Sequence, residues 1–144
     1  MYESTVNYWA VLVSALAFFA LGSLWYGALF GKAWRNSVGI TEEMLEAEKE
    51  EVNMVMSFGT MFVSSLLMAL ATAHLIDYML VVFPASSAVR IGLTTGFWAW
   101  LGYTLSYILT APAYEKRPWS YVLINGGYWL VGLLLTGLIV GLWR

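Results

Sequence analysis

Four stretches of this chain are long and apolar enough to cross a bilayer, and nothing else in the sequence constrains its fold as tightly. A helix rises ~1.5 Å per residue, so about 20 apolar residues are needed to cross a ~30 Å hydrocarbon core. The stretches run over residues 6–30, 52–83, 91–113 and 121–143. Three of them hold no ionised residue at all, and Asp77 is the only one in the second. Lipid cannot satisfy backbone N–H and C=O groups, so each segment must bond within itself, and the short alternating strands of a β-barrel are absent. The expectation is therefore all-α: an integral membrane four-helix transmembrane bundle forming a single domain over residues 1–144, with a short acidic helical loop between helices 1 and 2.

Composition supports this reading. A soluble domain carries about a quarter of its residues as charges, whereas here the charged share is 11% and the hydrophobic share 60%. The net charge of −2 leaves no basic footprint for nucleic acid. With no Cys and a single His, His74, there is no disulfide framework, no thiolate nucleophile and no multi-imidazole metal site. Met1, Tyr2 and Glu3 supply no positive n-region, so the first stretch is expected to stay in the protein as a span.

The one substantial polar segment lies between the first two spans, over residues 31–51. Gly39 suits the end of a short helix, and Thr41 suits the cap of a new one with Glu42 and Glu43 at its positive end. That new helix is expected to run unbroken into the second span, with Glu46 and Lys49 spaced to pair and the remaining glutamates forming a solvated acidic collar. Four crossings place Lys32, Arg35, Lys49, Lys116 and Arg117 on one side and Arg90 and Arg144 on the other, five against two. The positive-inside rule then sets loops 1–2 and 3–4 in the cytoplasm and both termini outside it.

Helices in lipid associate through small residues and interhelical hydrogen bonds. Candidate seams are Ser23, Gly27 and Gly31 in the first span, and Ser65, Ala69 and Ala73 in the second. Gly92, Thr95, Ala99, Gly102 and Ser106 mark the third, with Gly132, Thr136, Gly137 and Gly141 in the fourth. Some of these can instead line a narrow polar path, especially near Trp98, Trp100 and Trp129. His74 and Asp77 stand three residues apart, a spacing that suits a proton relay, although an interfacial ion pair between Asp77 and Arg90 across the Pro84 turn is the simpler reading. No nucleophile and base pairing, phosphate loop or metal-ligand cluster is present, so no catalytic residue and no cofactor is expected.

Two motifs go beyond generic membrane composition. One closes the first span as Gly22-Ser-Leu-Trp25-Tyr26-Gly27-Ala-Leu-Phe30-Gly31-Lys32-Ala-Trp34. The other is Tyr114-Glu115-Lys-Arg117-Pro118-Trp119, followed by Asn125-Gly-Gly-Tyr128-Trp129 in the fourth span. With Asn7 near the start, the chain resembles the DUF1761 family, whose pattern runs from an N-terminal Asn-Trp to a Glu-x-Arg-Pro loop and an Asn-x-Gly-Tyr-Trp helix. Here Tyr8 stands between Asn7 and Trp9. The resemblance implies a four-helix membrane fold and no particular activity.

The motif residues Trp25, Tyr26, Glu115, Arg117, Asn125 and Tyr128 all fall toward the same end of the bundle and form the candidate binding cluster. The structural alternative is a corner in which Glu115 pairs with Lys32 or Arg35. The leading functional expectation is a non-enzymatic bundle in the lipid bilayer that acts as a homo-oligomer or as a subunit of a larger membrane protein complex. A channel or carrier for a small neutral or aromatic solute is the alternative, with Gly126 and Gly127 as the one expected helix break.

Overall fold

A computed structural model describes residues 5–48 and 53–143, all of whose regular structure is helical. Helix α1, Tyr8–Ser23, continues as a π-helical turn over Leu24–Leu29, and the short α2, Gly31–Val38, and α3, Glu42–Glu48, follow. Helix α4 is Met54–Val82, and α5, Ala88–Ala99, passes through a second π-helical segment, Trp100–Leu105, into α6, Ser106–Ile108. The one-turn α7, Ala111–Tyr114, and the long α8, Trp119–Leu142, complete the chain. Three helices are long and apolar enough to cross a membrane: Tyr8–Leu29, Met54–Val82 and Trp119–Leu142.

The expected third span falls short of that standard. Residues 88–108 are helical throughout, but Trp98, Trp100, Tyr103, Tyr107 and three threonines make them less apolar than their neighbours. The helix also ends at Ile108 and does not reach Ala113; the chain turns before Pro112, which sits in the first turn of α7 where its missing N–H costs nothing.

Local signals set the other boundaries. Asn7 caps α1 by accepting from the N–H groups of Trp9 and Ala10. Gly39, at φ 81°, ends α2 in the left-handed conformation, and the N–H of Ile40 reaches back to the carbonyl of Arg35 at 3.0 Å. Thr41 then caps α3 through the N–H of Met44 at 3.3 Å. Contrary to expectation, α3 does not run into α4: Asn53 is extended and starts α4 as a fresh cap, accepting from the N–H of Met56 at 3.0 Å. Lys49, the expected partner of Glu46, and Arg144 lie outside the described residues, as do Met1, Tyr2 and Glu3.

Helix α8 is the axis of the bundle, with α1 on one side and α5 on the other, while α4 leans on α1 and, near its C-terminal end, on α5. The α5–α8 seam is backbone on backbone. A Cβ at Gly92 would overlap the carbonyl of Gly137 and one at Gly137 that of Gly92, while one at Gly141 would lie 2.7 Å from Ala88 O. Such approach gives dispersion contact that larger residues would prevent, which is how helices hold together without a hydrophobic drive. Ala69 and Ala73 are fully buried in the α4 seam. Gly27 and Gly102, by contrast, face open space, so these two positions of the expected seams are not packed against another described helix.

Asn7 and Trp143, near the two ends of the described residues, meet. Asn7 Nδ2 donates to the carbonyl of Trp143 at 3.3 Å, and Thr5 donates through its N–H and Oγ1 to the Asp77 carboxyl at 3.0 and 2.7 Å. The four long helical segments therefore run alternately up and down, with residues 5–7, Asp77 and Trp143 at one end and α2, α3 and α7 at the other.

Candidate functional site

The site forms where both π-helical segments face α8. In a π turn the N–H bonds five residues back, as Phe30 N does to Trp25 O at 2.8 Å, and the wider turn brings successive side chains closer around the axis. Trp25 and Tyr26 thereby both address α8: the indole of Trp25 donates to Ile124 O at 3.0 Å, and the Tyr26 hydroxyl donates to Asn125 Oδ1 at 2.7 Å. From the opposite flank the Trp100 indole donates to Gly126 O at 2.8 Å. Asn125 is held in place by its own Nδ2, which donates to Tyr121 O at 2.9 Å.

Gly126 and Gly127 do not break the helix, which runs unbroken through them. Their role is spatial. A Cβ at Gly127 would stand 3.1 Å from the Trp25 ring, so the missing side chain is the seat of the indole.

Tyr128 is the hub of an aromatic cluster. Its ring centroid lies 4.8 Å from Phe18, 5.0 Å from Tyr26 and 5.8 Å from Trp129, and Tyr26 meets Trp34 edge-on at 5.5 Å. These are the tilted and edge-to-face arrangements that the ring quadrupoles favour. The Tyr128 hydroxyl points to Phe18 O at 3.5 Å, the outer limit of a hydrogen bond.

A cleft opens beside this cluster, between α8 and the N-terminal part of α4. The buried residues of α4 begin at Ser65; before it, α4 meets α1 through Phe58 and Phe62, whose ring centroids lie 5.9 and 6.3 Å from that of Phe19. The resulting cavity of about 830 Å³ is lined by Phe18, Tyr26, Tyr128 and Trp129 on one wall and by Ser57, Thr60, Met61 and Ser64 of α4 on the other. A second hollow of about 520 Å³ adjoins it, sharing Tyr26 and Met61 and adding Asn125 and Trp34. Neither is lined by a described Asp, Glu, Lys, Arg or His.

Four of the six expected binding residues thus come together: Trp25, Tyr26, Asn125 and Tyr128. Glu115 and Arg117 form a separate latch at the bundle end. Lys116 adopts a left-handed φ of 54°, and the Glu115 carboxylate faces Arg117 Nε at 3.6 Å, not Lys32 or Arg35. Arg117 also donates from Nη1 to Val38 O at 3.0 Å and stacks over the Tyr121 ring at 5.7 Å. That bond satisfies a carbonyl at the C-terminus of α2 with a cation, the sign the helix dipole prefers there. An ion pair this exposed adds little stability, so its effect is to position the guanidinium.

The expected Asp77–Arg90 pair is corrected too. Asp77 is 2% exposed and turned inward toward Thr5, whereas Arg90 is exposed and, among the described residues, forms no ion pair. Phe18, Ser57, Ser64 and Met61 line the cleft without having been singled out. Nothing distinguishes them within uninterrupted apolar runs, and only the packing of α1, α4 and α8 around one hollow makes them its walls. Among the described residues no three His, Asp or Glu side chains gather as metal ligands.

Compared with known families, residues 9–141 match the one described as Protein of unknown function (DUF1761). The chain belongs to the DUF1761 family. No curated protein and no solved structure matches it. As a DUF1761 protein it carries the motif residues of both π-flanked contacts, Trp25-Tyr26 and Asn125-Gly-Gly-Tyr128, inside the matched region.

Proposed function

We propose that this DUF1761 protein is a non-enzymatic, four-crossing membrane bundle that holds one small neutral molecule in the cleft beside Tyr26 and Tyr128. Residues 88–108 supply the remaining crossing, long enough at ~1.5 Å per residue to traverse the hydrocarbon core. Exposed Trp9 and Trp143 at one end and Trp119 at the other suit the two headgroup layers. Lys32, Arg35, Lys116 and Arg117 favour a cytoplasmic location for the α2 end.

The observation that carries the ligand reading is the character of the cleft. Its size is that of a small-molecule site, its walls are aromatic rings and hydroxyls, and it offers no described charge to an ionic solute. Ser57 and Ser64 present hydroxyls that no described residue engages. A neutral solute with a ring and one or two hydrogen-bonding groups fits that chemistry, whether the protein stores it, senses it or carries it across.

The test is native mass spectrometry of protein released from mild detergent, followed by extraction and identification of any retained small molecule. Wild type is expected to keep a neutral adduct that Ser64→Phe, which fills the cleft from α4, excludes. Adduct-free wild type, or equal retention in Ser64→Phe, would falsify the reading.

One observation favours a second reading, association through α4. Only 11% of its most apolar stretch is buried, against 44% for α8. Crosslinked dimers that vanish when bulky residues are placed at Gly59, where a Cβ meets nothing within 4 Å, would support that reading.

A further inference from the structure

A second groove lies on the outer faces of α4 and α5, at the end that holds Thr5, Asp77 and Trp143. The two helices are antiparallel across the short turn after Phe83, in which Ser86 N donates to Phe83 O at 3.0 Å. One wall is Leu75 and Met79 of α4 with Phe83 at its C-cap, each one step of four apart; the other is Arg90, Thr94 and Trp98 of α5 with Gly102 in the π-helical segment that follows, at the same step. Together they enclose about 630 Å³. Neither wall belongs to the cleft beside Tyr26.

The groove is graded along its length. At its mouth stand Ser86 and the exposed Arg90, the only described cation at this end of the bundle. Ser87 caps α5 through the N–H of Arg90 at 3.3 Å, so the guanidinium sits within the first turn, at the helix end. Below it the walls become apolar and aromatic, and Gly102 leaves the floor open, since a Cβ there would meet nothing within 4 Å. From Arg90 to Gly102 the rise is about 18 Å, slightly more than half of a ~30 Å hydrocarbon core. That is the depth of one leaflet.

We propose that this groove binds an anionic phospholipid, its phosphate on Arg90 and Ser86 and one acyl chain lying along Trp98 to Gly102. The inference rests on the chain crossing a bilayer, and it is independent of the cleft ligand. A cation placed at the mouth of a leaflet-deep apolar trough matches a phosphate joined to an acyl chain. A second copy docked two-fold through the same groove would bring Arg90 toward Arg90, which charge repulsion opposes.

The protein, incubated in detergent with equal amounts of phosphatidylglycerol and phosphatidylcholine of identical chains, is read by native mass spectrometry. One bound lipid is expected, with the anionic form preferred about fivefold, the worth of one Lys or Arg beside lipid of net negative charge. Arg90→Gln brings the ratio near one and Arg90→Lys keeps it. Gly102→Leu, tolerated because that position is open, reduces adducts of both lipids, and Val55→Ala, at an exposed position outside every cleft, changes neither. An unchanged ratio in Arg90→Gln, full retention in Gly102→Leu, displacement by glycerophosphate alone, or dimers in place of lipid adducts would each overturn the proposal. Wild type that stays monodisperse without any detergent would overturn the bilayer reading on which it stands.

Discussion

Adding one methyl group at Gly96 tests the backbone-on-backbone packing most directly. A Cβ there would stand 2.5 Å from Leu133 O and 2.9 Å from Leu133 C, against an ordinary contact that begins at 3.4 Å. Backbone cannot rotate aside as a side chain can, so α5 and α8 must part locally by roughly 0.9 Å. A gap of 0.5–1 Å forfeits about a quarter to a half of each dispersion well, and the Gly92–Gly137 contact next along the seam widens with it. Overpacking of this kind costs about 1–3 kcal/mol, and the upper part of that range applies because the obstacle is main chain. The matched control is Gly102→Ala, where the new methyl meets nothing and the helix keeps any gain in propensity, at most about 1 kcal/mol. Reversible unfolding in mixed micelles of increasing SDS fraction, followed by circular dichroism, should therefore separate the two variants by about 2–3 kcal/mol. Gly92→Ala combined with Gly96→Ala should cost less than the two singly, since one separation relieves both clashes. If Gly96→Ala proved as stable as Gly102→Ala, the close seam and the reasoning built on it would be refuted.

Four further outcomes follow from the geometry. Tyr26→Phe removes the 2.7 Å bond to Asn125 and should cost about 0.6–1.7 kcal/mol, with Asn125→Ala adding little more in a double-mutant cycle; additive losses would show that the two side chains act separately. Thr5→Val deprives the buried Asp77 carboxyl of its 2.7 Å donor, and amide exchange in the first turn of α1 should quicken, by the equivalent of about 1–3 kcal/mol; unchanged exchange would remove Thr5 from any clasping role. Arg117→Gln frees the Val38 carbonyl, so proteolysis between α2 and α3 should accelerate while the unfolding of α8 stays as in wild type, and equal protease resistance would refute the latch. Thr136→Val replaces a fully buried hydroxyl that has no hydrogen-bond partner among the described residues, so it should leave stability unchanged or raise it by about 1 kcal/mol; a loss would mean that the hydroxyl is bonded after all.

The residues differ in how far the chain alone announced their roles. Gly39 and Thr41 are readable at helix ends because capping and φ preferences act within a few residues. The junction at Asn53 was missed, since an asparagine between a glutamate run and an apolar run is equally compatible with a helix passing through it. Asp77 and Glu115 were assigned the nearest opposite charges by sequence and span. Asp77 turned instead to the hydroxyl and amide of Thr5, and Glu115 to Arg117, because the start of the chain folds against α4 and the left-handed turn at Lys116 brings its two flanking residues together.

Sequence by itself determined the helical class and three membrane-length spans, because hydrogen bonding within a segment and the free energy of apolar groups are local properties summed along the chain. It also pointed to the cluster of Trp25, Tyr26, Asn125 and Tyr128, through motif resemblance and not through any chemistry of their spacing. Only the tertiary structure decided that both π turns face α8, that Gly127 leaves room for the Trp25 indole and Gly126 offers its carbonyl to Trp100 instead of breaking a helix, and that α1, α4 and α8 leave a cleft between them. Those outcomes depend on which backbones approach closest. In α5 and α8 that was settled between Gly92 and Gly137, forty-odd residues apart, by a fit that neither helix encodes alone.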